Sequence, residues 1–379
     1  MFVSRGYPTG KYPLLGVFEY DQACALVRAG HQIIYAVVDL RSLRRWRKWG
    51  FKSLRRDGIN IEAINIPCGR LPRLILNFCG VTAFKLLYKR IVKKYGIPDV
   101  VHSHFVSPGY YSSCILKDSN VPLVHTEHSY DMHAETLSTK WYNLGKKVYP
   151  NVDIVIAVSK SLADNIEKHF GTKSLVIHNI VDTSLFRYVE KKRDRISNKY
   201  KFISVGHLQP LKKMDLLIRS FYGAFKNDPT VELYIYGEGG ERINLEKIIE
   251  EHCLTNRVHL MGYASRDVIA AKMAECDSFV LASESETFGV VYVEAMAAGL
   301  PVIATRCGGP EDFVNDRHGI LVNVNDEEAL TEALREMRHT SGMYNRAGIA
   351  EDARESFSSN IISDQIISVY CSLLHEQEI

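Results

Sequence analysis

Apolar and polar residues alternate along this chain in a way that predicts helices and strands in turn. Near the start, the segment FEYDQACALVRAGH (18–31) predicts a helix closed by Gly30, and the apolar run QIIYAVVDL (32–40) predicts a buried strand. Further strand-like runs follow at 98–104, 121–129 and 152–157. Helical segments lie between these runs, so the pattern favours a parallel sheet with right-handed crossovers.

The same pattern starts again after residue 200. Six strand-like runs lie at 201–208, 231–240, 257–263, 277–283, 300–305 and 319–326, and helical segments separate the first five. A chain of 379 residues is long enough for two domains of this kind. We therefore expect an α/β protein with two Rossmann-like lobes.

A charged stretch is expected to link the two lobes along the chain. RYVEKKRDRISNKY (187–200) has no apolar period, which predicts a linker. The expected organisation is therefore an N-terminal lobe at 1–186, a C-terminal lobe at 187–360 and a last helix at 361–379. We expect that helix to pack back toward the N-terminal lobe.

Composition narrows the classes of function. Hydrophobic residues make up 46% of the chain and charged residues 24%, and the net charge of +3 is too small to indicate a nucleic-acid partner. The eight cysteines form no CxxC pair, which is typical of reduced thiols in a cytoplasmic protein. The N-terminus lacks the apolar core of a signal peptide, and no run reaches the roughly 20 apolar residues of a spanning helix. We expect a cytoplasmic protein.

One stretch at a predicted strand end carries candidate chemistry. In SESETFGVVYVEAMAAGLPV (283–302), the loop contains Glu286, a helix is expected from about Gly289, and Glu294 lies two turns inside it. Ligands bind parallel sheets at the carboxyl ends of strands, and a helix start with a nearby glycine suits a phosphate. The two carboxylates could then accept hydrogen bonds from sugar hydroxyls on either side of a diphosphate. The alternative is that both acids simply face solvent.

The longer stretch SESETFGVVYVEAMAAGLPVIATRCGGPEDFV (283–314) resembles the signature of the family 4 retaining glycosyltransferases. The resemblance extends along the chain through shorter motifs in the family's order: VSRGYP, GVFEYDQACAL, HTEHS, AVSKSL, HNIVDTSLF, VGHLQPLKKMDLLI, YGEGG and LVNVNDEEAL. It implies the two-lobed GT-B fold. It also implies that the N-terminal lobe binds most of the acceptor and the C-terminal lobe binds a nucleotide-sugar donor.

The resemblance implies roles for particular residues. Glu286 would contact the donor hexose, Glu294 the ribose, and Lys212 the diphosphate, while His128 would face the donor sugar. The catalytic set would be His128, Glu286 and Lys212. Further donor-site positions implied by the family pattern are Gly16, His207, Gly237, Phe288, Gly289 and Val290.

Three of these positions allow a second interpretation. Lys212 could be a solvated surface lysine. His207 stands where the family usually has arginine, and a histidine cannot reproduce the bidentate grip of a guanidinium, so it could be an ordinary loop residue. Gly16 could be a simple turn glycine.

Four residues at two predicted strand ends of the first lobe could together form a metal site: His102, His104, Glu127 and His128. The chain has no D-x-D motif of the metal-dependent transferases, and an H-x-H pair does not fix its distance to His128. We therefore expect no metal and no cofactor. His102 is better explained as a core or loop histidine.

The acceptor is indicated only by charge. The stretch RSLRRWRKWGFKSLRRDG (41–58) has eight Lys or Arg between residues 41 and 56, interleaved with Trp46, Trp49 and Phe51. A basic, aromatic, helix-compatible stretch favours an anionic membrane surface, and a second basic helix is expected at 84–96. A solvated helix face is the alternative. We expect a lipid-linked or membrane-bound acceptor and attachment to the inner face of the cell membrane.

These observations lead to one expected function and two alternatives. The chain is expected to be a metal-independent, retaining hexosyltransferase that uses a UDP- or GDP-sugar and a glycan or lipid-linked acceptor, in bacterial surface-polysaccharide assembly. One alternative is a nucleotide-sugar epimerase on the same fold. The other is a catalytically decayed protein that only binds sugar nucleotides. The oligomeric state is not indicated.

Overall fold

The computed structural model of the protein describes residues 1–41, 48–69, 71–134, 136–190 and 199–376. Contacts divide the chain into two compact units. The first unit is Met1–Ile180 with Ser359–Ile379, and the second unit is Val181–Ser358. The chain therefore changes unit after residue 180, where the sequence predicted 186, and returns at residue 359, where it predicted 361. Residues 191–198 of the predicted linker lie outside the described residues.

The first unit is built on one sheet. Its strands are β1 (Phe2–Ser4), β2 (Ile34–Arg41), β3 (Gly50–Arg56), β4 (Ile59–Pro67), β5 (Val101–His104), β6 (Leu123–Glu127), β7 (Ile154–Ala157) and β8 (Leu175–Val176). They lie in the order β3-β4-β2-β1-β5-β6-β7-β8. All neighbours pair in parallel except β3 and β4.

Helices cover this sheet on both faces. They are α1 (Val17–Arg28), α2 (Arg73–Tyr95), α3 (Val106–Leu116), α4 (Tyr130–His133), α5 (Thr139–Val148) and α6 (Lys160–Phe170). Alternate residues of β2 enter different apolar clusters: Tyr35 and Val37 pack into one, and Ala36 and Val38 into the other. Burial on both faces favours apolar side chains at successive positions, which is why residues 33–38 form a continuous apolar run.

The prediction that the basic stretch at 41–58 is compatible with a helix is wrong for the part that the structure describes. Residues 50–56 form β3, which pairs with β4 in an antiparallel hairpin. The cause is the Asp57-Gly58 turn, in which both residues have positive φ (51° and 78°), as a two-residue hairpin loop requires. Residues 42–47 of the stretch lie outside the described residues.

The second unit repeats the architecture with a fully parallel sheet. Its strands are β9 (Tyr200–Val205), β10 (Val231–Tyr236), β11 (Val258–Gly262), β12 (Ser278–Leu281), β13 (Val302–Thr305) and β14 (Gly319–Val322). Their order is β11-β10-β9-β12-β13-β14, so the strand order reverses between β9 and β12. The helices are α7 (Met214–Phe225), α8 (Arg242–Glu251), α9 (Arg266–Glu275), α10 (Val290–Ala297), α11 (Glu327–Thr340) and α12 (Arg346–Phe357). The expected α/β fold with two Rossmann-like lobes is confirmed.

The last helix, α13 (Ser359–Glu376), belongs to the first unit. Its Ile362 and Ile366 are fully buried in the apolar cluster that contains Ala23 and Leu26 of α1. The helix therefore completes the core on one face of the sheet. Among the helices of the described residues, none is long and apolar enough to cross a membrane.

Candidate active site

Two loops of the second unit meet at the point where the strand order reverses. One follows β9 and the other follows β12, and the Glu284 amide donates to the Leu211 carbonyl between them at 2.8 Å. The β12 loop is also fixed to the loop after β13, because the Glu286 amide donates to Cys307 O (3.1 Å) and the Gly309 amide donates to Glu286 O (2.9 Å). Glu286 is thus held by backbone hydrogen bonds on both sides of its peptide.

The side chains of Lys212 and Glu286 form an ion pair at this point. Lys212 Nζ lies 2.6 Å from Glu286 Oε1, and Ser283 Oγ donates to the same oxygen at 2.7 Å. The side chains are 20% and 11% exposed, so the pair is shielded from water yet reachable. The structure therefore brings together two of the predicted catalytic residues, an ammonium and a carboxylate.

The start of α10 lies directly after the Glu286 loop. Gly289 is the N-cap residue, with φ of 89°, and no side chain caps the helix. The buried Tyr292 hydroxyl donates to Leu281 O at 2.8 Å and ties the first turn to the end of β12. Uncapped amides at the positive end of a helix are suited to a phosphate group.

Glu294 forms an ion pair with Arg266. Its Oε1 lies 3.0 Å from Arg266 Nη2, and the two side chains are 12% and 32% exposed. Arg266 begins α9, and its guanidinium lies 5.6 Å from the centre of the Phe186 ring. Arg266 is not recognisable from the sequence as a site residue, because no motif or periodicity distinguishes this arginine from other residues at helix starts.

The remaining predicted donor-site residues differ in how far they are exposed to a ligand. Phe288 is 2% exposed and packs against Phe313 and Phe357, so only its backbone is available to a ligand. Val290 is partly exposed in the first turn of α10, and His207 is exposed after β9. His207 does not share the shielded position of Lys212.

Two predicted glycines are required by close backbone packing. A Cβ on Gly237 would lie 1.9 Å from Gly206 O, and one on Gly16 would lie 2.3 Å from Gly6 O. Both residues also have positive φ, 146° and 66°. In each unit the glycine allows the loop after one strand to lie against a neighbouring segment.

In the first unit, a buried carboxylate shapes the end of β6. Glu127 Oε1 accepts hydrogen bonds from the amides of His128 (3.0 Å) and Ser129 (2.9 Å), and Oε2 accepts one from the Tyr149 hydroxyl (3.1 Å). Burial alone would raise the pKa of Glu127, but hydrogen bonds from His125 and Ser129 outweigh it and lower the pKa to about 2. Glu127 therefore stays ionised and fixes the backbone of His128.

The first-lobe histidines form a stacked aromatic group. His104 Nδ1 lies 3.2 Å from His128 Nε2, and the His102 ring stacks on the His104 ring at 4.3 Å. His102 is a core histidine, because its two nitrogens contact the Tyr370 hydroxyl and Thr126 Oγ1, each at 2.6 Å. Within the described part of the chain, no group of three or more His, Cys, Asp or Glu is arranged to hold a metal ion.

Burial keeps these histidines neutral. It lowers the pKa of His128 to about 4, although the nearby Glu127 carboxylate opposes the shift, and it lowers the pKa values of His102 and His104 well below their ordinary value. His128 remains partly exposed, and it is therefore the histidine of this group that can meet a ligand as a neutral ring.

Comparison with known proteins agrees with this geometry. Residues 188–355 match the family described as Glycosyl transferases group 1, and residues 15–185 match Glycosyltransferase Family 4. An uncharacterised glycosyltransferase of Methanocaldococcus jannaschii is 30% identical over 278 residues, which cover 73% of this chain and 74% of that protein.

Two further similarities concern proteins with named ligands. The Campylobacter jejuni N-acetylgalactosamine-N,N'-diacetylbacillosaminyl-diphospho-undecaprenol 4-alpha-N-acetylgalactosaminyltransferase is 28% identical over 274 residues, covering 69% of this chain and 73% of the relative. The crystal structure of Anabaena HepE in complex with UDP-glucose has a TM-score of 0.73 at 20% identity and covers 98% of both chains. The second similarity shows the fold alone.

The buried histidines predict that acid destabilises the first unit. The pKa of His128 is about 4 in the folded protein, against an ordinary 6.5, so the unfolded chain binds more protons between these values. Stability is fully present above about pH 6.5 and falls as the pH drops toward 4; at about pH 5, His128 alone should account for about 1–2 kcal/mol. Urea unfolding at a series of pH values measures this loss.

A matched pair of variants isolates the contribution of His128. His128→Gln should flatten the pH dependence of the unfolding free energy between about pH 6.5 and 5, because it removes one group that gains a proton on unfolding. His339→Gln, at an exposed histidine of the second unit, should leave the profile unchanged. Parallel profiles for wild type and His128→Gln would contradict the assignment.

Proposed function

Because the chain belongs to glycosyltransferase family 4 and has the GT-B fold, we propose that it moves a hexose from a UDP- or GDP-sugar to a glycan or lipid-linked acceptor. The transfer proceeds with retention of configuration and without a metal ion. The HepE complex contains UDP-glucose, and the name of the Campylobacter relative includes a diphospho-undecaprenol acceptor. The first supports a nucleotide-sugar donor and the second a lipid-linked acceptor, and we place the reaction in bacterial surface-polysaccharide assembly as part of the proposal. None of the similar proteins described above supports the epimerase alternative.

The observation that carries the proposal is the arrangement of Lys212, Glu286 and the α10 start in the second unit. Lys212 and the first amides of α10 provide positive charge and N–H donors for a diphosphate. When the diphosphate binds, Lys212 Nζ turns from Glu286 Oε1 to a phosphate oxygen. Glu286, still held by Ser283, is then free to accept a hydroxyl of the hexose. Glu294 accepts the ribose hydroxyls.

The proposed reaction needs no protein nucleophile. The bond from the hexose C1 to the diphosphate oxygen breaks, and the electron pair leaves with the diphosphate. The acceptor hydroxyl attacks C1 from the same face, and its proton passes to an oxygen of the departing diphosphate. Charge develops on that leaving group, which is where Lys212 and the α10 amides act. His128, neutral and partly exposed, is assigned to a hydroxyl of the donor sugar.

A membrane contact is part of the proposal, and a face of α2 supports it. Leu74 and Phe78 are 83% and 73% exposed, and Leu86 is 51% exposed. Lys85 and Lys89 are also exposed. At 100° per residue, these five side chains fall within an arc of about 120°. Leu74 and Phe78 lie in the N-terminal half of this face, and Leu86 lies between the two lysines in the C-terminal half, a composition that suits an anionic bilayer.

This face adds to the basic residues of 41–56 that the sequence indicated. Lys52 and Arg55 of that stretch are on the hairpin formed by β3 and β4. We propose that the protein works at the cytoplasmic face of the membrane, with α2 supplying the apolar contact. A second copy of the chain covering the α2 face is the competing explanation.

The donor assignment predicts the behaviour of Glu294→Ala. Removing the carboxylate should weaken UDP binding by about 1.5–3 kcal/mol, the value of a hydrogen bond to a charged group. Isothermal titration calorimetry with UDP measures the change. Glu328→Ala, at an exposed carboxylate of α11, is the matched control and should bind UDP as the wild type does.

A further variant separates ribose binding from loss of the ion pair. Arg266→Gln breaks the same pair but keeps the Glu294 carboxylate, so UDP affinity should be retained. If Glu294→Ala binds UDP normally, or if Arg266→Gln weakens binding as much as Glu294→Ala, the carboxylate does not hold the ribose.

Turnover should survive chelation. The full chain is supplied with UDP-, GDP- and ADP-sugars and lipid-linked acceptors in excess EDTA, and products are identified by mass spectrometry and anomeric configuration by NMR. We expect transfer with retention from one of the uridine or guanosine donors. Loss of turnover in EDTA with rescue by manganese or magnesium, or an epimerised nucleotide sugar without transfer, would refute the proposal.

The α2 face predicts a specific loss of vesicle binding. Leu74→Ser with Phe78→Ser removes two side chains whose full burial is worth about 1.5–3 kcal/mol each, so partitioning onto anionic vesicles should fall at least about tenfold. Met343→Ser, at a residue 84% exposed in the second unit, is the control and should not change partitioning. Equal sedimentation of wild type and both variants with vesicles would contradict the membrane contact of α2. A dimer of the wild type that only the double variant disrupts would show instead that a second copy covers this face.

A further inference from the structure

Three cations of the first unit gather around the start of α3. Arg73 Nη2 donates to Ser107 Oγ at 2.7 Å, and its guanidinium lies 5.1 Å from the centre of the Trp141 ring. Lys140 Nζ lies 4.0 Å from the same ring. The Arg5 guanidinium lies 3.7 Å above the ring of Phe105, the residue that precedes α3.

These cations have no close carboxylate partner in the described part of the chain. Among the described residues, no carboxylate forms an ion pair with any of the three. Burial, followed by repulsion from Arg73, lowers the pKa of Lys140, and Asp131 opposes this only in part. Arg73 Nε is buried without a hydrogen-bond partner, although buried donors are nearly always paired. The three cations thus lack ion-pair partners, although Glu19 interacts electrostatically with Arg5 and Asp131 with Lys140.

The backbone beside the cations is held in an unusual conformation. Phe105 has φ of 65° and ψ of 147°, a region that glycine adopts and other residues rarely do. The turn leaves the start of α3 without a side-chain cap. It also places the Phe105 ring 5.0 Å from the His128 ring, so the cations adjoin the histidine assigned to the donor sugar.

We propose that Arg5, Arg73 and Lys140 bind an anionic group of the acceptor, a phosphate or a carboxylate. The proposal rests on the assigned transferase function, since it names the class of acceptor for the same site. Guanidinium groups match the planar or tetrahedral oxygens of such anions, and an ammonium adds a point charge. A bound anion would offset the repulsion between Arg73 and Lys140. A neutral glycan would not.

Tryptophan fluorescence provides a local measurement, because two of the three cations lie against Trp141. The full chain is titrated with inorganic phosphate and, separately, with succinate, each with and without saturating UDP. We expect a saturable change in emission with at least one anion, and Trp141→Phe should abolish it. The anion that binds more tightly identifies phosphate or carboxylate as the acceptor's charged group.

Variants test whether the three cations hold the anion. Arg73→Gln with Lys140→Gln removes two charge-assisted contacts and should weaken binding at least about 30-fold. Lys140→Gln alone changes an exposed side chain, cannot prevent folding, and should weaken binding severalfold. Lys146→Gln is the matched control, because Lys146 is on the same helix and also lies over an aromatic ring, that of Tyr142. It should bind the anion normally.

The outcomes separate this inference from the proposed function. Absence of saturable binding, or equal binding by wild type and the double variant, would overturn the anion site. UDP binding is measured by calorimetry on the same samples. Failure to bind UDP with the anion result intact would instead refute the donor assignment. Normal UDP affinity in the double variant, with anion binding lost, supports both.

Discussion

The parallel pairing of β9 with β12 is the constraint on which the second unit's site depends. Successive crossovers run in opposite directions from this pair, so the loops that follow the two strands meet at the sheet edge. This brings Lys212 within 2.6 Å of Glu286, although 74 residues separate them in the chain. The backbone bonds from Glu286 to Cys307 and Gly309 then extend the pairing beyond β12 and β13. The ion pair is therefore positioned by the sheet, with little dependence on flexible loops.

In the first unit, the buried carboxylate of Glu127 fixes the position of the candidate residue His128. An ionised carboxylate inside a protein is tolerated only where hydrogen bonds replace its water. Glu127 satisfies this condition with two backbone amides and the side chains of Ser129, Tyr149 and His125. The result is a rigid turn after β6 that presents His128 in one orientation. A substitution at Glu127 would act on His128 through the backbone, so Glu127 is a positioning residue.

Periodicity predicted most of the fold. Parallel strands covered on both faces leave continuous apolar runs, and these located the strands of both units. The β3–β4 hairpin was missed because Lys and Arg side chains on an edge strand can also suit a helix, and charge was given more weight than the Asp57-Gly58 turn. The site was only partly predictable. Glu286 and Lys212 are in motifs, but Arg266 and Tyr370 reach their partners through tertiary packing alone, which no local pattern records.

The two units differ in how their charge is balanced, and the difference has a consequence for recognition. In the second unit, each of the two candidate carboxylates has a cation, so their charges are paired and the side chains are already held in place. Under the proposed function, a diphosphate would displace Glu286 from Lys212, which would favour a donor whose phosphate and hexose occupy the correct positions together. In the first unit, Arg5, Arg73 and Lys140 have no ion-pair partner among the described residues. Under the proposed anion site, a ligand there would be selected first by its negative charge and second by its shape. Donor choice would then depend on geometry and acceptor choice on electrostatics.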